Sequence, residues 1–210
     1  MAAVAVKKNL LQAGNVLAHV FHPLFLFTYG SLLVFFSNEP QHIWWIISGV
    51  VFTVVLPLVF TWLLQRSLYL EDRHKRTWPL LVTAVLFAFT AVLFRIFSIP
   101  RDAQILIYSF AAGLSTLFLI NFSYKISLHA CGLGAYSVWF GYWLIKHFAG
   151  NVLLLVIILL GWILILCIVL WQRAQSGAHT PAQVLTGLAL GILSTSVFLV
   201  AAAGKDDMLE

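Results

Sequence analysis

A chain of 210 residues that is 62% apolar and only 9% charged is not an ordinary soluble domain, since such domains carry about 25% charged residues. Its formal net charge of +5 is spread over loops rather than gathered in a tail or stripe, which fits membrane topology and excludes nucleic acid as an expected partner. Cys131 and Cys167 stand in apolar surroundings, with no spacing that suggests a zinc site or a disulfide framework.

Several apolar runs reach the length of about 20 residues that crosses a bilayer as a helix. They predict an all-α fold, a polytopic transmembrane helix bundle of about seven (six to seven) spans. The spans cover 15–37, 43–64, 79–99, 104–122, 129–149, 151–171 and 183–203. Lys7 and Lys8 precede a span long enough to stay in the membrane, so no cleavable leader is expected. Asn38-Glu39-Pro40 separates the first two spans. A polar stretch from Glu71 to Pro79 separates the next two, and its Pro suits a first helical position. Pro100-Arg101-Asp102 and Gly150-Asn151 mark two further turns. Nothing reads as a linker or repeat, so residues 1–210 form a single integral membrane domain.

Seven spans divide the loops into two sets. Lys7, Lys8, Arg66, Arg73, Lys75, Arg76, Lys125 and Arg173 fall on the N-terminal side; Arg101, Lys146 and Lys205 fall on the other, with Arg95 near it. Lys/Arg excess marks the cytoplasmic side. The expected location is a bacterial inner membrane with the N-terminus in the cytoplasm.

Two polar stretches interrupt the apolar pattern on that side. One is Lys125-Ile-Ser-Leu-His129; the other runs from Arg173 through His179 to Gln183. Each pairs a cation with a histidine, and two spans separate them, so both emerge at one lipid–water boundary. Thr180-Pro181-Ala182-Gln183 reads as a helix start with a capping box, Thr180 as cap and Gln183 reaching back. His179 then precedes a helix N-terminus, where free N–H groups favour an anion. Taken singly these residues have plain readings: His179 as an interfacial polar residue, Lys125 and Arg173 as snorkelling anchors, Gln183 as a cap. The Arg73, Lys75 and Arg76 loop is either a headgroup-contacting positive loop or a phosphate clamp. His19 and His22, three apart, share a helix face near the same boundary, which suggests a polar, inward-facing structural role, with lining of the site as the alternative.

Arg173-x5-His179-x3-Gln183 resembles the third signature of the type 2 phosphatidic acid phosphatase superfamily, Arg-x5-His-x3-Asp. Ile126-Ser127-Leu128-His129 resembles its second signature, Pro-Ser-Gly-His, and the family also has two spans between these signatures. The first signature, Lys-x6-Arg-Pro, corresponds to the Arg66–Pro79 loop, where Arg66-x6-Arg73 keeps the spacing and Arg76 lies three residues before Pro79. The resemblance covers 66–190, the phosphatase-like region. Gln183 stands where the family has Asp, Gln172 where it has Ser, and Ile126 and Leu128 where it has Pro and Gly.

The resemblance implies an integral membrane lipid phosphatase. His179 would be the nucleophile that forms a phosphohistidine, His129 the general acid, and Gln183 the group that orients His179. Arg173, Lys125, Ser127, Arg73 and Arg76 would bind phosphate; neither metal nor other cofactor is required. The expected partners are a phosphorylated lipid substrate and membrane lipids. Gln183 in place of Asp also admits a weak or inactive protein that binds or transports a phosphorylated lipid. A phosphotransferase or an isoprenoid-processing enzyme on the same scaffold stays open as well.

Overall fold

The computed structural model describes residues 2–37, 43–65 and 74–206. They form α1 (Ala2–Val20), α2 (Pro23–Ser37), α3 (Trp44–Val50), a π-helical turn (Val51–Val55), α4 (Leu56–Gln65), α5 (Thr77–Ile96), α6 (Arg101–Asn121), α7 (Leu128–Phe148), α8 (Val152–Gln175) and α9 (Pro181–Asp206). No strand occurs among the described residues, so the fold is all-α, as the apolar runs predict.

Among the described residues, five helices are long and apolar enough to cross a membrane: 44–63 (α3, the π turn and α4), α5, α6, α8 and 181–203 of α9. The expected first span, 15–37, is two helices, because α1 and α2 meet at a bend of 58°. Pro23 is the cause: it lacks an N–H and disfavours helical backbone at the residue before it. Counted together, α1 and α2 make a sixth span.

The remaining long helix, α7, has 21 residues but falls outside the apolar set because Gly, Trp and Tyr interrupt it. It sits at the centre of the bundle, where Leu133, Tyr136, Trp139, Trp143 and Leu144 are all buried. A helix covered by protein has less need of aliphatic side chains than one facing lipid. The opposite case is α8, whose Leu153, Ile157, Leu160 and Leu164 are all exposed. Such an outward face suits hydrocarbon, and the chain is a membrane protein.

One helix contact governs the rest. A Cβ on Gly191 would stand 2.0 Å from the Cys131 carbonyl oxygen, and one on Gly187 would stand 2.6 Å from that of Ser127. Only glycine admits this approach, the small-residue packing common between membrane helices. Further along, Thr195 Oγ1 donates to the Ala135 carbonyl at 3.0 Å. Residue number rises the same way on both sides of the contact, so α7 and α9 run parallel and begin at the same face.

The other face is closed by an ion pair. Asp102, 4% exposed, opens α6. Lys146 Nζ, near the end of α7, donates to both Asp102 carboxylate oxygens at 3.0 Å, and Trp139 Nε1 donates to the Asp102 carbonyl at 2.8 Å. Between the two ends lies a core that includes Phe27, Phe87, Phe94 and Trp139.

Candidate functional site

Parallel packing of α7 and α9 sets their N-terminal ends side by side. The Ser127 amide donates to the Gln183 carbonyl at 3.2 Å, joining the two helix starts. Lys125 Nζ donates to the Ala178 carbonyl at 3.0 Å, joining the two polar stretches. The stretches separated by two spans in sequence are therefore in contact.

Both helix starts are capped. Ser127 Oγ accepts from the Ala130 amide at 3.3 Å. Gln183 Oε1 accepts from the Thr180 amide at 3.1 Å, while Thr180 Oγ1 accepts from the Gln183 amide at 3.3 Å. That reciprocal pair is the capping box read from the sequence.

Arg76 stands just before α5 and is 6% exposed. Its Nε donates to Asn121 Oδ1 at 2.6 Å, and Nη1 donates to the Ile126 carbonyl at 2.9 Å. Asn121 Nδ2 in turn donates to Thr77 Oγ1 at 3.0 Å. The last residue of α6 thus fixes the guanidinium against the chain leading into α7. Two fixed bonds orient a planar fork suited to bidentate recognition of an oxyanion.

These elements enclose a cavity of about 640 Å3. Arg76, Lys125, Arg173, His129 and His179 line it, as do His19 and His22 from the bend between α1 and α2. Among the described residues no Asp or Glu lines it. The lining continues through Leu80 and Phe87 of α5 and Phe110 of α6. From Arg76 to Phe87 is about 16 Å along a helix axis at 1.5 Å per residue, so the apolar part reaches about halfway into a hydrocarbon layer about 30 Å thick.

His179 is buried beside these cations. Burial first, then the charges of Arg173, Lys125 and Arg76, push its imidazole down to about 4, while a hydrogen bond with the Gln183 side chain pulls the other way. At neutral pH the ring is uncharged and carries a lone pair.

The expected site residues divide as follows. His179, His129, Arg173, Lys125 and Arg76 line the one cavity. Gln183 is not a lining residue, and its carbonyl is engaged in the cap. Ser127 is also outside the lining; its side chain is fully buried under the start of α7. The Ile-Ser-x-His order makes it the residue before the helix, and the cap claims its hydroxyl. Arg73 lies outside the described residues.

Asn121 has no signal in sequence: it reads as one polar residue closing an apolar run. His19 and His22 gave a signal in their spacing, although His22 lies in the break after α1 rather than on a helix face.

Comparison with protein-family models, with curated proteins and with solved structures finds no match to this chain.

Proposed function

We propose that this chain is a lipid phosphate phosphatase, a divergent member of the type 2 phosphatidic acid phosphatase superfamily. One observation carries the proposal: three cations and two motif histidines line the same cavity as a run of apolar side chains, with no carboxylate among the described lining. Guanidinium and ammonium groups converging on one end of a cavity suit the oxygens of a phosphate group. An attached lipid chain would fill the apolar part of the same cavity. The Lys/Arg excess on this side supports a site at the cytoplasmic face of a bacterial inner membrane.

The chemistry follows from the placement of the two histidines. Neutral His179 attacks phosphorus through its ring nitrogen, and the bond from phosphorus to the lipid oxygen breaks. His129, which takes up the proton of an entering phosphate monoanion, gives it to the departing alkoxide, which leaves as the lipid alcohol. Water then attacks the phosphohistidine, and His129 takes a proton from it. Orthophosphate leaves and both histidines return to their starting states. Arg76, Arg173 and Lys125 hold the phosphoryl oxygens, where charge develops.

A second reading has its own observation. An orienting carboxylate stabilises a catalytic imidazolium, and the side chain that meets His179 is the neutral amide of Gln183, whose Oε1 also accepts from the Thr180 amide. That favours a slow enzyme, or a protein that binds a phosphorylated lipid without turning it over.

Phosphate release by purified protein, beside His179→Ala, separates the readings. The panel holds phosphatidic acid, phosphatidylglycerol phosphate, an isoprenoid diphosphate and a phosphorylated glycolipid. Release that disappears in the variant supports the phosphatase. Binding without release supports the second reading.

A further inference from the structure

The geometry points to His22 as a further phosphate ligand, donating from Nε2 to an oxygen of the anion held in the cavity. This rests on the phosphate-binding reading above but uses a residue outside the 66–190 region that suggested it.

His22 occupies the break between α1 and α2 and caps α2. Its carbonyl accepts from the amides of Phe25 at 2.8 Å and Leu26 at 3.2 Å. Its Nδ1 accepts from the Leu24 amide at 3.3 Å. A ring nitrogen that accepts carries no proton, so the proton of a neutral imidazole is on the other one. The cap thereby sets the tautomer and leaves Nε2–H as a donor.

The ring's position is also fixed. A Cβ on Gly132 would stand 2.7 Å from Pro23 Cβ, so glycine lets the start of α2 rest directly on α7. That contact places the His22 ring perpendicular to the His129 ring, with centroids 4.9 Å apart. Phe25 meets it edge-on at 6.1 Å. Held this way, His22 lines the cavity that Arg76, Lys125, Arg173 and His179 line.

Capping alone does not call for this residue, because Asn, Ser, Asp and Thr are the preferred caps. Imidazole differs from them in reach: a rigid ring carries its donor well beyond the atom that caps the helix.

The test uses His22→Ser and His22→Thr, whose short hydroxyls keep a cap acceptor but cannot reach the position of ring Nε2. The probes are orthophosphate and a short-chain phosphonate analogue of phosphatidic acid, which cannot be turned over. Wild type should bind both. Each variant should bind the phosphonate about tenfold more weakly, the scale of one hydrogen bond to a charged group. A matching loss for orthophosphate assigns His22 to the phosphate oxygens in general; a loss for the phosphonate alone assigns it to the lipid-borne headgroup. Wild-type affinity of either variant for both probes overturns the inference and leaves the phosphatase reading standing. No binding of either probe by the wild type overturns that reading, and the inference with it.

Discussion

The amide of Ser127 donates to the carbonyl of Gln183 at 3.2 Å. That bond joins the starts of two helices that lie two spans apart in sequence, and it sets the His129 end of α7 beside the His179 loop. The site therefore depends on how closely α7 and α9 approach.

Gly191 sets that approach. Gly191→Ala puts a methyl group into the Cys131 carbonyl, and overpacking of this kind costs about 1–3 kcal/mol. The variant should lose thermal stability and, because the helix starts move apart, phosphate release as well. Gly161→Ala is the control, since a Cβ there meets nothing within 4 Å. Its melting midpoint should stay at or slightly above that of wild type, as Ala favours helix over Gly by about 1 kcal/mol. Equal behaviour of the two variants would remove the α7–α9 contact as the element that builds the site.

The pH dependence follows from His179. Its imidazole is lowered to about 4, and only the unprotonated ring can attack. Activity should therefore persist through mildly acid pH and fall only as pH approaches about 4. Lys125→Met removes a positive charge that lowers this value. The pKa should then rise toward the ordinary histidine value, and the acid limb of kcat/KM should shift to higher pH. An acid limb that stays in place or shifts to lower pH would contradict the electrostatic coupling.

His129 should matter most when the leaving group is poor. His129→Ala should slow an alkyl lipid phosphate by about 10²–10⁴-fold, the usual contribution of a positioned proton donor. An aryl phosphate, whose phenolate leaves without help, should lose far less. Equal losses on the two substrates would assign His129 to binding rather than to proton transfer.

Much of this arrangement is legible in the sequence, for identifiable reasons. The helices follow from apolar runs interrupted by Pro, Gly and charge, and His129, His179, Lys125 and Arg173 stand out because polar residues are scarce. The bend at Pro23 is harder to read, since the apolar run continues across it and hydropathy registers composition rather than backbone geometry. The role of Gln183 was ambiguous for a different reason: one side chain serves the capping pattern and the motif spacing alike, and the structure shows the capping bonds made. Asn121 was invisible because its partner, Arg76, is 45 residues away in the chain. The central position of α7 was equally hidden, as its Gly, Trp and Tyr content describes packing against protein rather than lipid.

The central claim is that His179 takes the phosphoryl group from a lipid. The direct measurement is rapid acid-free quenching of purified protein with a phosphate-labelled lipid substrate, followed by mapping of the label. The account predicts a transient, acid-labile phosphohistidine at His179 in the wild type and no label in His179→Ala. Phosphate release without label on the protein, or labelling that persists in His179→Ala, would contradict it.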